Sequence, residues 1–378
     1  MNIDYSIHGW LGLRVVHPSP GSARFVAYQL DPVIPTTLLA DPDVSLVPVS
    51  NQCFPRIAYR LGNAGDHEEC EFGESDFWLS NGGRMLCIPF ESIGQCCEVR
   101  YDARATLRPA FRYARQILQL SLLNKGAIAI HSAAVVHEGK GILLAGWAES
   151  GKTELMLAFV DGGASFVSDK WTILKEDGSA MYNFPTPITV RPWVLRHLPG
   201  LAENLAASER WRLRMGPFAA AIVKKALESG RVGLEAGLRS FIAAGVDSVI
   251  RVSVPPSRLV RHATDAGNAE AVSLSAPFDK LFVLMTHDSR QISVLPADPS
   301  DVARRLVDCA QYERRGLLGL YAKFRYAFPS RSNSLLEEVR QRELTILDTA
   351  LRSKEVFVVE LPFPFDLRSA YDAVRAFC

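Results

Sequence analysis

The sequence predicts an α/β protein whose core follows a small, mostly β amino-terminal domain, and three observations predict it. Residues 141–174 read as strand, glycine-rich loop, helix and strand in succession (GILLAG, WAESGKT, ELMLAFV, ASFVSDKWTIL). Residues 1 to about 105 carry short apolar runs broken by turn signals, without sustained helical spacing. Later segments alternate helical periodicity with apolar strand runs.

Taken in order, WLGLRVV, ARFVAYQL, VSLVPV, DFWLSNGGRMLCIPF and CCEVRYDA read as the strands of the domain spanning 1–105. Asn81-Gly82-Gly83 marks the clearest hairpin turn. From Leu107 to Leu123, apolar residues return at helical intervals (Phe111, Ala114, Ile117, Leu118, Leu122), and Asn124-Lys125-Gly126 ends the run. This helix bridges the two halves, and residues 106–378 form the second domain. AIAIHSAAVVHE and GILLAG read as two core strands joined by a tight turn at Gly139-Lys140-Gly141. The helix after Gly151 stops at Gly162-Gly163, and ASFVSDKWTIL reads as one further buried strand. Residues 200–245 read as a mostly helical insertion. DSVIRVSV and KLFVLMTHDSRQISVLP follow as strand segments, the latter turning at Asp288-Ser289. Helices from Pro299 to about Ser353, the strand VFVVELP and a closing helix DLRSAYDAVRAF complete the chain.

Charge and composition bound the function. Forty-two basic residues against 41 acidic ones leave a net charge of +1, so no global field holds nucleic acid or an anionic membrane. No apolar run approaches the ~20 residues of a membrane helix, and MNIDYSIHGW has no leader-like pattern, so a cytoplasmic protein is expected. The seven cysteines include no C-x-x-C pair and read as reduced thiols. A homo-oligomer is left open.

The chemistry concentrates in Gly146-Trp147-Ala148-Glu149-Ser150-Gly151-Lys152-Thr153, which fits the P-loop (Walker A) pattern G-x-x-x-x-G-K-[ST] throughout. The glycines permit a loop whose backbone N–H groups converge on phosphate oxygens, and a helix amino terminus adds favourable partial charge. Lys152 is then expected to bridge the β- and γ-phosphates of ATP, and Thr153 to offer its hydroxyl to Mg²⁺. Trp147 either packs over the loop or stacks on a base or peptide. The loop needs a carboxylate partner, and two apolar runs end in aspartate: FVSD at Asp169 and VLMTHD at Asp288. Asp169 is preferred, because the next strand of a parallel sheet would bring its end beside the phosphates. Asp288 reads more simply as a hairpin turn. Arg191 is a candidate for phosphate or an acceptor carboxylate, or for a surface ion pair, and His137 is expected to face outward near the turn.

The segment His131–Leu174 resembles HPr kinase/phosphorylase and its wider family of HPr-kinase-like proteins. HSAAVVHEGKGILLAGWAESGKTE followed by FVSDK keeps the family's order of histidine, strand, turn, strand, P-loop and aspartate-ending strand. It includes Glu154 directly after Gly-Lys-Thr, which the general pattern does not demand. The resemblance implies a P-loop kinase core related to phosphoenolpyruvate carboxykinase, with a mixed β-sheet flanked by helices. It implies a serine kinase using ATP and Mg²⁺, with a small protein or peptide as acceptor. Carried over, Lys152 and Thr153 bind phosphate and metal, Asp169 takes the hydroxyl proton, His131 lies near the transferred phosphate, and Glu154 supports the metal. The family's paired aspartates become Asp169-Lys170, and its dephosphorylation loop is not found. Lys170 is expected to lower the pKa of Asp169 or to neutralise the transferred phosphoryl. A small hydroxylated metabolite is the alternative acceptor, and a nucleotide-binding regulatory module without transfer is the alternative activity.

Overall fold

In the computed structural model, which describes residues 1–38, 40–50, 59–61, 69–73, 77–81, 84–228, 250–260, 274–288 and 291–378, the chain is mixed α/β. The amino-terminal strands are β1 (Ile3–Ile7), β2 (Leu11–Val15), β3 (Val44–Val49), β4 (Tyr59–Leu61), β5 (Glu69–Phe72), β6 (Phe77–Asn81), β7 (Arg84–Cys87) and β8 (Cys97–Asp102). They form one eight-stranded sheet in the order β1-β2-β3-β8-β7-β6-β5-β4. β2, β3 and β8 run parallel, and β6 pairs with β7 as the expected hairpin, although Gly82 and Gly83 of its turn lie outside the described residues.

ARFVAYQL is a correction: it belongs to a helix, α1 (Pro20–Leu30), and not to a strand. Ser19 caps it by accepting a hydrogen bond from the Ser22 N–H, Pro20 opens its first turn, and Val26 and Leu30, four residues apart, bury the same face. The Ser-Pro start outweighs a run of β-compatible side chains.

After α2 (Arg108–Ser121), a short 3₁₀ turn ends at Gly126, whose φ of 64° gives the left-handed cap. The next strands are β9 (Ala127–Ile130), β10 (Ser132–His137) and β11 (Lys140–Gly146), then α3 (Lys152–Asp161), β12 (Ser165–Ser168), β13 (Thr172–Lys175), β14 (Ala180–Asn183) and β15 (Ile188–Val190). Short α4 (Val194–His197) precedes the helical insertion, a 3₁₀ helix (Pro199–Asn204) and α5 (Ala207–Glu228) make up most of its described part, and its remainder, 229–245, lies outside the described residues. There follow β16 (Val252–Val254), α6 (Pro256–Leu259), β17 (Ser275–Pro277), β18 (Lys280–Thr286) and β19 (Ser293–Pro296). The chain closes with α7 (Pro299–Glu313), α8 (Arg315–Ala327), α9 (Ser334–Glu337), α10 (Val339–Leu351), β20 (Glu355–Leu361) and α11 (Leu367–Arg375).

A six-stranded sheet in the order β12-β10-β11-β18-β20-β19 carries the site. It is mixed: β11, β18 and β20 are parallel neighbours, while β10, β12 and β19 pair antiparallel. Its side chains alternate between two helical layers. Ala133, Val135, Ile142, Leu144 and Phe282 pack against Leu155 and Phe159 of α3 and Val374 of α11. Their neighbours Ala134, Leu143, Ala145 and Leu281 pack against Val302 and Leu306 of α7. That second cluster continues through Ile117 and Phe111 of α2 to Leu46 and Ile7, so the amino-terminal sheet shares one core with the helices beyond residue 105.

Four further expectations about this region are corrected. AIAIHSAAVVHE and ASFVSDKWTIL are each two strands in two sheets: β10 and β12 belong to the six-stranded sheet, whereas β9 and β13 belong to a separate sheet ordered β17-β14-β13-β9. The hairpin between β10 and β11 turns on Glu138 and Gly139, both at positive φ, which leaves Lys140 and Gly141 in the strand. β12 is not a parallel neighbour of β11, since β10 lies antiparallel between them, yet β11 and β12 still end at the same edge. β18 and β19 form no hairpin, because β20 pairs with both. Among the described residues no helix is long and apolar enough to cross a membrane.

Candidate functional site

The site is built where β11 hands over to α3. Gly146 closes β11 at φ 136°, and a Cβ there would lie 2.5 Å from the Leu284 carbonyl oxygen on β18, so the approach of the two strands demands glycine. The loop reverses through Glu149 at φ 65° and Gly151 at φ 93° and enters α3 at Lys152. Lys152 is 6% exposed and folds back over the loop, its Nζ donating to the carbonyl of Gly146 at 2.9 Å and that of Trp147 at 2.5 Å. The first-turn N–H groups of any helix lack intrahelical partners, so this turn and the lysine make the loop electropositive.

The opposite wall is where two runs leave one sheet for another, at His131 and at Asp169-Lys170-Trp171. The Ser132 N–H donates to the Lys170 carbonyl at 3.1 Å, tying the two breaks together, and Lys170 adopts a left-handed φ of 66°. Asp169 is 2% exposed. Its Oδ1 accepts from the Thr153 hydroxyl at 2.8 Å, while Oδ2 has no hydrogen-bond partner among the described residues. Burial pushes the Asp169 carboxyl up, against the opposing pull of Lys170 and the Thr153 bond. Lys170 does pull the Asp169 pKa down as expected, but burial outweighs it and the net shift is upward. The Lys170 ammonium is itself lowered by burial, with Arg115 and Arg251 adding to the effect.

Glu154 is buried beside Arg191, with Nε to Oε1 at 3.6 Å, and desolvation raises its pKa. Arg191 and Arg251 both reach the Glu149 carboxylate at 3.0 Å, so Arg191 makes ion pairs at the mouth of the site. From the other helical layer, Glu313 at the end of α7 places Oε1 3.6 Å from His131 Nδ1, and the Cys309 thiol lies 3.8 Å from the same nitrogen. Burial, followed by the charges of Lys152 and Lys170, brings His131 down to about 3, so the imidazole is neutral at ordinary pH. Burial raises Cys309 to about 11, which keeps it a thiol.

These groups surround a cleft of about 380 Å³ lined by Ala148, Glu149, Ser150, Gly151, Lys152, Thr153, Glu154, Asp169, Lys170, His131, Arg191, Arg251, Trp171 and Glu313. A second hollow of about 490 Å³ lies across the same loop and takes its lining from Gly146, Trp147, Met285, Thr286 and Arg305. Trp147 is half exposed and leans on Tyr312 with ring centroids 4.6 Å apart. Two candidates fall elsewhere. Asp288 is exposed beyond the end of β18, and His137, expected to face outward, is buried with its ring edge against Phe159. Sequence reasoning missed Glu313, Cys309, Arg251 and Trp171. Trp171 had a signal in its adjacency to Lys170, whereas the others arrive from distant elements and had none. No protein-family model and no curated protein sequence matches this chain.

Proposed function

We propose that the chain is an ATP-dependent kinase that transfers the γ-phosphate to a hydroxyl, with serine of a peptide or small protein as the acceptor class the resemblance implies. The observation that carries this is the 2.8 Å bond from Thr153, at the start of the loop's helix, to Asp169, at the end of β12. It joins a phosphate-type loop to a buried carboxylate in one cleft. In such transfers catalysis is mainly positioning and charge neutralisation, so a cationic loop, an oxygen-rich metal position and one base suffice.

The residues fit magnesium. Thr153, Asp169 and Glu154 offer oxygen donors, and Asp169 Oδ2 is buried without a partner among the described residues. Among the described residues no three His, Cys, Asp or Glu side chains are grouped to hold a metal, so these donors would need phosphate oxygens and water to complete the ion's coordination. When bound, Mg²⁺ supplies charge neutralisation at the phosphates. Lys152 and the first turn of α3 bind phosphate oxygens, and the hollow beside Trp147 offers room for the nucleoside. Asp169, its basicity raised by burial, accepts the proton of the acceptor hydroxyl. His131 orients as a neutral imidazole.

One observation favours a second reading, a nucleotide-binding regulatory module. Lys170 stands where the resembled family carries a second acid, and it crowds the base with positive charge. The test is incubation with γ-labelled ATP, Mg²⁺ and hydroxyl acceptors, beside Lys152→Ala and Asp169→Asn. Lys152→Ala is expected to lose ATP binding. Asp169→Asn is expected to keep binding and lose about 10²–10⁴-fold in transfer. Transfer that survives Asp169→Asn sinks the assigned base, and ATP binding without transfer to any acceptor favours the module.

A further inference from the structure

Behind the cleft, Trp171 and Glu313 also line a separate chamber of about 220 Å³ whose far wall is α2. Arg108, Arg112, Arg115 and Gln119 recur along α2 at spacings of four, three and four, which places them in one stripe facing that space. Like charges so stacked repel, and Glu313 is the one acid among the described residues of the lining. Arg108 and Arg112 are exposed to solvent, so the cation that faces the buried part of the chamber is Arg115.

Four of its buried polar atoms have no hydrogen-bond partner among the described residues. Gln119 is 1% exposed, and among the described residues neither its Oε1 nor its Nε2 has a hydrogen-bond partner. The same holds for Arg115 Nε and Gln116 Oε1, although Arg115 also donates to Gln29 Oε1 at 2.6 Å and Gln116 Nε2 to the Glu313 carbonyl at 3.3 Å. Leaving a buried amide with no partner is costly in a folded protein, so such groups mark a place filled by something else. The inventory specifies the filler. Arg115 Nε–H and the Gln119 amide nitrogen need acceptors, while Gln119 Oε1 and Gln116 Oε1 need donors. The Arg115 guanidinium favours an anionic acceptor, and the volume suits one small group in place of a whole drug-sized molecule.

We infer that the α2 chamber binds an amino-acid-like head, a carboxylate with a neighbouring N–H group, belonging to the molecule whose hydroxyl enters the cleft. The inference rests on the kinase reading for the role of that hydroxyl. The binding itself stands on Arg115 and Gln119 alone. Burial lowers the Arg115 guanidinium to about 10, which leaves it charged at neutral pH and ready to meet the carboxylate.

Calorimetric titration of the full chain with N-acetylserine, N-acetylserine amide and 3-hydroxypropanoate tests it. N-acetylserine is expected to bind tightest, with both the uncharged amide and the acid lacking N–H weaker by about tenfold or more. Arg115→Gln and Gln119→Leu are each expected to weaken N-acetylserine by about tenfold or more, with folding checked by circular dichroism. A five-residue peptide ending in serine is the companion probe. Tighter binding by the peptide identifies a chain end as the source of the head, and tighter binding by N-acetylserine identifies a free small molecule. Equal binding of acid and amide, affinity indifferent to both substitutions, or no binding to the wild-type protein overturns the inference and leaves a water-filled chamber. If a variant does not fold, the comparison of acid with amide on the wild-type chain still decides. Probe binding without label transfer overturns only the kinase reading. Transfer to N-acetylserine with a KM unmoved by Arg115→Gln overturns only the chamber.

Discussion

His131 offers a prediction whose size follows directly from its surroundings. Its pKa falls from 6.5 to about 3 in the folded chain, through burial first and then the charges of Lys152 and Lys170. A depressed folded-state pKa means stability that is fully present above pH 6.5 and is lost as pH falls towards about 3. At pH 5 the unfolded chain gains about 2 kcal/mol by protonating this imidazole, against about 0.2 kcal/mol at pH 7, because the folded form stays neutral at both. Wild-type protein is therefore expected to lose about 2 kcal/mol more than His131→Gln between pH 7 and pH 5, measured by urea denaturation. A direct readout is the imidazole Cε1–H resonance, assigned by its absence in His131→Gln, which is expected to show no titration above pH 5. A midpoint near 6.5, or an equal stability loss in the two proteins, refutes the neutral, buried histidine. It would also restore a positive charge to the phosphate side of the proposed mechanism.

Two further predictions concern the frame around the site. Arg314 and Glu343 form a fully buried ion pair between the helices that cover the sheet, and Gln311 donates to the same carboxylate at 2.5 Å. Glu343→Gln strands the guanidinium and is expected to cost about 3–5 kcal/mol, read as a fall in the denaturation midpoint. An unchanged midpoint would mean the pair contributes little. Gly146→Ala forces a methyl group against the Leu284 carbonyl oxygen and is expected to cost about 1–3 kcal/mol and to weaken ATP binding. Wild-type ATP affinity in a folded Gly146→Ala protein would show that the loop tolerates displacement and that its geometry does not govern binding.

Much of the site was legible because its signals are local. Gly146, Gly151, Lys152 and Thr153 lie within eight residues between a strand and a helix, and the apolar rows of α2 and α7 declare themselves by period. The errors share a cause. A continuous apolar run looks alike whether it is one strand or two, so nothing in AIAIHSAAVV reveals that the chain changes sheets at His131. Strand pairing is equally silent about β20, which enters between β18 and β19 from some sixty residues away. α1 shows the reverse case: the Ser19-Pro20 start is a local helix signal, while Phe25, Val26 and Tyr28 are equally compatible with a strand.

What the sequence determined by itself is the loop, its lysine and hydroxyl, and the helix behind them, since their conformation depends on neighbouring backbone and on glycine's freedom at positive φ. What only the tertiary structure decided is the company they keep. Glu313 and Cys309 come from α7, Arg251 from before β16, and the polar stripe of α2 from the bridge to the amino-terminal sheet. Their convergence is set by how two helical layers and two sheets pack around one strand edge. Packing is a sum over long-range contacts that no window of sequence contains.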